Sequence, residues 1–182
     1  MRTLGNTIWR KLVLDTRGAE IAEAAAVLPL MFMILLGIFW FGQAFSLYGA
    51  ITRAAQEGAR AGAAPYCTTC NTPNGPVINA ANAVNAALTV SHLDPSQVVL
   101  PASPPSFVNC ITGQPVMTCN GASTKACVQS EVQLVPPDGI GAGVCGISVS
   151  LQYPFQFYLP FTSLNKRRIL LSASASVRME NQ

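Results

Sequence analysis

Cysteine is the residue type whose number and placement most directly suggest chemistry in this sequence. There are six cysteines, and all of them follow Pro65. An even number confined to one part of a chain indicates disulfides formed in an oxidising compartment, although the pairing cannot be read from the sequence. We expect one local bridge between Cys67 and Cys70 and two bridges that join central loops to strands. The six candidate disulfide residues are Cys67, Cys70, Cys110, Cys119, Cys127 and Cys145.

Redox exchange and zinc binding are two other interpretations of these cysteines. Cys67-Thr-Thr-Cys70 has the spacing of a thioredoxin-type motif, but it follows a helical pattern and enters a loop. Zinc needs a second close pair, and Cys110 and Cys119 are too far apart. The one histidine, His92, stands at a helix end, and no nucleophile with a matching acid is evident. The sequence therefore predicts no catalytic, metal or cofactor site.

Glu23 is the next residue whose position suggests a function. It is the last charged residue before Arg53, and the 29 positions between them carry no charge. A carboxylate at the start of an apolar helix can simply be favoured there by the helix dipole. It can also mark a functional site that needs a partner, because drawing it into a bilayer costs roughly a few kcal/mol.

The apolar stretch behind Glu23 is long enough to cross a membrane. Its centre runs over residues 24–45, and a membrane-spanning helix needs about 20 such residues. A chain this short could hardly bury that helix on all sides, which disfavours a core helix. A cleaved secretory signal is the alternative, but its apolar core is shorter. By the positive-inside rule, the basic residues ahead of the span predict a cytoplasmic N-terminus. These residues are Arg2, Arg10, Lys11 and Arg17.

The helical pattern continues beyond the membrane segment until Pro65. Arg53, Glu57 and Arg60 are spaced to share one face, where they can form ion pairs. A second face carries small and apolar residues at steps of three and four, which allows close approach to other subunits or to the outer domain. This stripe consists of Tyr48, Ile51, Ala55, Gly58 and Gly62.

The remainder of the chain has the pattern of a small mixed domain. The Ala-rich residues 78–88 predict a second helix, and the Gly-, Pro- and Ser-rich residues 101–125 predict loops. Three segments alternate with period two, and the last two fit an antiparallel pair with Pro154 at an edge or bulge. We therefore expect an α+β fold in which a long N-terminal helix packs on a small antiparallel β-sheet domain. The predicted strands lie at 128–134, 147–157 and 169–179.

The composition agrees with this division and excludes several classes of protein. Half of the residues are hydrophobic and only 10 % are charged, whereas soluble domains carry about 25 % charged residues. This argues against a disordered tail, a coiled coil and an ordinary cytosolic enzyme. The net charge of +3 is too small for a protein that tracks phosphates, so we expect no nucleic-acid partner.

The residues around Glu23 resemble the processing site of type IV prepilins. Arg17-Gly18-Ala19-Glu20 ends a basic leader, and Glu23 follows the glycine by five positions as an apolar helix opens. The resemblance implies that Gly18 is the last leader residue, since glycine lets a protease approach the backbone closely. Ala19 would then be the new N-terminus. Its ammonium group would pair with Glu23 of a neighbouring subunit and set the axial register between the two.

The resemblance extends to the TadE-like family of minor pilins (pseudopilins) of tight-adherence pili. Gly18, Ala19 and Glu23 match the family motif position by position, whereas Glu20 stands where a small or apolar residue is expected. TadF-like proteins share this plan, and pseudopilins of type II secretion systems share the cleavage logic. The resemblance is carried by RGAEIAEAAAVLPLMFMILLGIFWFGQAF, AITRAAQEGARAGA, SLQYPFQFYLPF and ILLSASASVRMEN.

The resemblance implies a structural, non-enzymatic subunit with a leader (1–18), a long helix (19–64) and an extracytoplasmic domain (65–182). It would cross the bacterial inner membrane once and place its C-terminal domain in the periplasm or outside the cell. Its implied partners are prepilin peptidase, major and minor pilin subunits, an inner-membrane assembly platform, and membrane lipid before assembly. The alternative is a signal-anchored exported protein with a disulfide-stabilised or redox-active outer domain.

Overall fold

The chain divides into two compact units, Met1–Gln43 and Ala44–Gln182. The helices are α1 (Thr16–Ala63) and α2 (Pro76–Val90), and a short 3-10 turn follows at Pro95–Gln97. The strands are β1 (Phe107–Val108), β2 (Pro115–Val116), β3 (Cys127–Leu134), β4 (Val144–Gln156) and β5 (Arg168–Arg178). The computed structural model describes residues 16–65, 75–120, 125–134, 143–156 and 168–179.

Helix α1 is 48 residues long and contains Pro29 in its interior. It ends at Ala63, two residues before Pro65, because proline cannot continue a helix. Its first residue is Thr16, so the helix already includes Gly18. The predicted long N-terminal helix is therefore confirmed.

The main sheet is antiparallel, with β4 in the centre of the order β3-β4-β5. Strands β4 and β5 pair without interruption from Gly146 opposite Arg178 to Gln156 opposite Arg168. The pairing of β3 with β4 shifts between Gln129 and Val132, which marks a bulge. The predicted antiparallel pair and the α+β fold are confirmed.

Pro154 lies in the central strand, but its missing N–H costs no ladder hydrogen bond. Gln152 exchanges both backbone hydrogen bonds with Val99, so its N–H points away from β5. Pro154 comes two residues later and directs its nitrogen to that same side. Strand β3 pairs with β4 only as far as Ser150, so among the described residues Pro154 lies beyond the end of that pairing, at a local edge.

One face of the sheet packs against α2 and the outer part of α1, and this interface is the hydrophobic core of the second unit. Small residues of α1 and the branched residues of α2 and β4 fill it, as alternation along β4 predicts. The packing of the helix on the sheet domain is thereby confirmed. The fully buried members include Ile51, Ala55, Leu88, Ile147, Val149 and Leu151.

The opposite face of the sheet is also covered, which the sequence did not predict. Residues 101–125 were expected to be loops, but strands β1 and β2 pair there as a small hairpin. The Gln129 side-chain amide donates to the carbonyl oxygens of Pro105 (3.1 Å) and Val116 (3.4 Å). Gln129, Ser148 and Ser150 are consequently buried although they are polar. Alternation along a strand cannot reveal such a second covering layer.

Candidate functional site

The apolar segment of α1 exposes nearly all of its large side chains in the isolated chain. Glu20–Ala63 contains a window with a mean hydropathy of 2.4, and none of that window is buried. Leu30, Met33 and Phe41 are each at least 60 % exposed. By length and composition this helix is able to span a membrane.

Gly18 and Glu23 both lie on exposed positions of α1. Five residues of helix separate their Cα atoms by about 7.5 Å along the axis. Ala19 and Glu23 are four residues apart, so both belong to the same side of the helix. The Gly18–Ala19 bond lies near the described start of α1.

Farther along α1, two glycines allow the close approach of α2 and β4. A Cβ on Gly58 would overlap Cγ2 of Val84 and lie 3.1 Å from the carbonyl oxygen of Ala80. A Cβ on Gly62 would lie 2.5 Å from Cδ1 of Ile147. The small-residue stripe therefore serves the intramolecular core.

The composition of that stripe differs from the predicted one in two respects. Tyr48 was expected to belong to it, but its side chain is 49 % exposed. Ala54 and Ala59, which were not assigned to it, are fully buried.

On the solvent face, Glu57 and Arg60 form an ion pair at 3.8 Å. Both side chains are exposed, so this pair adds little stability.

Two disulfides tie the covering layer to the sheet. Cys110 is joined to Cys145 at the start of β4, and Cys119 is joined to Cys127 at the start of β3. The backbone N–H of Cys110 also donates to the carbonyl oxygen of Glu131 (2.9 Å), which lies in the bulge of β3. Each bridge connects a central loop to a strand. Cys67 and Cys70, and with them the predicted local bridge, lie outside the described residues.

His92 has a structural position at the end of α2. Its backbone is in the left-handed region, with φ of 58°. The backbone N–H of Leu93 donates to the carbonyl oxygen of Leu88, and the backbone N–H of His92 donates to the carbonyl oxygen of Thr89. These two hydrogen bonds form a Schellman motif. The imidazole is exposed to solvent. Among the described residues, no group of three or more His, Cys, Asp or Glu side chains could hold a metal ion.

Residues 18–60 match the family model described as TadE-like protein. No curated protein and no solved structure matches the chain. The matched segment starts at Gly18, includes Glu23 and covers most of α1. TadE-like pilus proteins are structural rather than enzymatic, and the apolar helix fits their membrane anchor. Over this segment, the chain is similar to the TadE-like family of tight-adherence pilus proteins.

Proposed function

We propose that this chain is a minor pilin, or pseudopilin, of a bacterial tight-adherence pilus, cleaved by prepilin peptidase after Gly18. The observation that carries the proposal is the family match from residue 18 to residue 60, which contains the glycine, the glutamate and the apolar helix in one uninterrupted segment. Major and minor pilin subunits and an inner-membrane assembly platform are the proposed partners.

The exposed apolar surface of α1 supports a subunit that moves from lipid to protein surroundings. Residues 24–45 carry no charge, and most of their large side chains are exposed among the residues that the structure describes. Such a surface is stable only in a bilayer or among other apolar helices. The charges ahead of it favour a cytoplasmic N-terminus, and the disulfides of the second unit fit an oxidising compartment beyond the membrane.

Glu23 is the proposed register residue of the assembled helices. Cleavage after Gly18 exposes an ammonium group on Ala19, and a carboxylate in an apolar bundle is stable only when it is paired. Pairing Glu23 of one subunit with the Ala19 ammonium group of the next satisfies both charges. The pairing also defines how far one helix is displaced along the other.

The cleavage is tested by intact mass measurement on the protein purified from its native membrane. We expect the mature chain to begin at Ala19. Gly18→Leu should retain the full mass, because a bulky side chain blocks the approach of the protease. Gly37→Leu is the matched control, since Gly37 has no neighbouring atom within 4 Å and lies inside the apolar segment. A mature N-terminus elsewhere refutes the proposed cleavage and favours the signal-anchored alternative.

The role of Glu23 is tested by comparing it with a second acidic residue of the same helix. Glu20 is also exposed and lies three residues earlier. We expect Glu23→Ala to be inserted and cleaved but absent from sheared pili, while Glu20→Ala assembles. Normal piliation by the Glu23→Ala variant would contradict the register role.

A further inference from the structure

Strand β5 is an edge of the main sheet without the features that usually keep edge strands from pairing. Natural edges are protected by short length, proline, bulges or charged side chains in the strand. β5 has 11 residues, contains no proline or glycine, and carries charge only on its terminal residues, Arg168 and Arg178. Its pairing with β4 contains no bulge. In the described parts of the chain, no strand pairs with its outer side.

The register shows which backbone groups β5 presents at this edge. Gln152 of β4 forms its backbone hydrogen bonds with Val99, on the side away from β5. Gln152 and its β5 partner Ser172 are therefore a non-hydrogen-bonded pair of the antiparallel ladder. The N–H and carbonyl of Ser172 therefore point outward from the sheet. Alternate residues repeat this orientation, so Ser174 and Ser176 also point their backbone groups outward. β5 thus presents a regular row of donors and acceptors to a further strand.

The side chains next to this row define the charge of a suitable partner. Arg168 and Arg178 are exposed, point to the same face as the serines and stand about 33 Å apart along the strand. Between them the exposed side chains of that face are small or apolar. A complementary strand would be uncharged in its centre and acidic at both ends.

A second copy of this chain fits this edge less well. Antiparallel pairing of two β5 strands centred on Ala173 places Arg168 of one copy opposite Arg178 of the other, at both ends. Like charges directly opposite each other destabilise a sheet. The charges therefore favour a different protein over self-association.

An open cavity lies beside the C-terminal half of this edge. It has a volume of about 730 Å³ and lies between the β1–β2 hairpin and the sheet. Phe107, Met117 and Leu134 contribute apolar walls, and Ser176 of β5 also lines it. An added strand would have a side chain opposite Ser176 on this face, so an apolar residue there would enter the cavity.

We propose that β5 is a docking edge for an extended segment of another protein, which joins the sheet as a fourth strand and carries acidic residues flanking an uncharged centre. Backbone hydrogen bonds would supply affinity, while Arg168, Arg178 and the cavity would supply selectivity. The proposal does not depend on where the leader is cleaved.

The proposal is tested with the full-length protein in detergent micelles and a fluorescent 11-residue peptide of alternating valine and threonine with aspartate at both ends. Its length equals that of β5. We expect saturable binding in an anisotropy titration, weakened by salt because the flanking charges are exposed. Two control peptides carry lysine at both ends or N-methyl groups on alternate backbone amides, and both should bind at least about tenfold more weakly.

Ser174→Pro is the matching protein variant. Its N–H points outward, so the substitution removes no β4–β5 hydrogen bond, just as Pro154 is accommodated in β4. We expect affinity for the acidic-ended peptide to fall about tenfold, while Ser174→Thr, which keeps the N–H, should bind like the wild type. Unchanged melting temperatures would show that both variants are folded.

Three results would overturn the proposal. The first is that the peptides with aspartate ends and with lysine ends both fail to bind, or that both bind with equal affinity. The second is that Ser174→Pro binds as well as the wild type. The third is self-association of the peptide-free protein that disappears in Ser174→Pro, since it would identify a second copy as the occupant. The N-methylated peptide needs no protein variant, so a folding defect in Ser174→Pro cannot produce a false result.

Discussion

Replacing Gly58 with alanine tests whether close helix packing, rather than helix flexibility, explains the glycines of α1. Gly58 is buried, and a Cβ there overlaps the side chain of Val84, a β-branched residue with little rotamer freedom. Gly49 lies on the same helix within the second unit and has nothing within 4 Å of its Cβ position. The two positions therefore share a helix but differ in the space available for a methyl group.

The expected magnitudes follow from two opposing terms. Glycine to alanine in a helix interior gains about 1 kcal/mol of intrinsic helix stability at either position. Overpacking a filled core costs about 1–3 kcal/mol, and only Gly58 incurs it. Gly49→Ala should therefore be stabilised by about 1 kcal/mol, while Gly58→Ala lies about 1–3 kcal/mol below it. The helix term cancels in the comparison, so the difference measures the packing alone.

Thermal unfolding of the full-length protein in detergent micelles, followed by circular dichroism, measures this difference. About 1 kcal/mol corresponds to roughly 4 °C in a domain of this size. A double-mutant cycle with Val84→Ala identifies the clash, because shortening Val84 removes the atom that the methyl group introduced by Gly58→Ala would overlap. In that background Gly58→Ala should lose most of its penalty. The reasoning is refuted if Gly58→Ala is as stable as Gly49→Ala, or if the cycle shows no coupling.

Three further predictions concern the second unit. His92→Gly should raise the free energy of unfolding by about 1 kcal/mol, because glycine adopts the left-handed backbone without strain, and a lower melting temperature would contradict this. Replacing Cys110 and Cys145 with alanine should lower the free energy of unfolding by about 4 kcal/mol, and replacing Cys119 and Cys127 should lower it by about 2.5 kcal/mol, because the first pair closes the longer loop. Equal losses in denaturant titrations would contradict this ranking. Hydrogen bonds from the Ser96 side chain and backbone lower the pKa of Asp94. The ionised carboxylate therefore contributes to folding stability above its unfolded pKa of about 4, and this contribution is lost as the pH falls through the lower folded pKa. The stability difference between wild type and Asp94→Asn should shrink on acidification, and a difference that grows would have the wrong sign.

The sequence predicted the elements whose residues are periodic and did not predict the covering layer. Alternation over 147–157 and 169–179 located β4 and β5 because one face of each carries regularly spaced branched residues. Strands β1 and β2 have two residues each, which is too short to show any period. Their hairpin depends instead on the side chain of Asn109, which accepts hydrogen bonds from the N–H groups of Ile111 and Thr112.

The candidate functional residues differ in how far their placement can be predicted from the sequence. The proposed roles of Gly18 and Glu23 depend on spacing along one helix, which can be read directly from the sequence. The disulfide partners depend on which loop folds over which strand, and Cys110 and Cys145 are 35 residues apart. The bulge that places the carbonyl oxygen of Glu131 beside Cys110 has no periodic signal either.

Side-chain size along α1 separates the surfaces that face different surroundings. Residues 24–45 are rich in leucine, methionine and phenylalanine, and these large side chains are exposed in the isolated chain. From Ile51 onward the buried positions are mainly alanine and glycine, so the helix axis can approach α2 and β4 closely. Large side chains on the second segment would force the sheet away, and small ones on the first would reduce the apolar area offered to lipid or to neighbouring helices. The same helix therefore packs into a folded domain at one end and exposes an apolar surface that is able to span a membrane at the other.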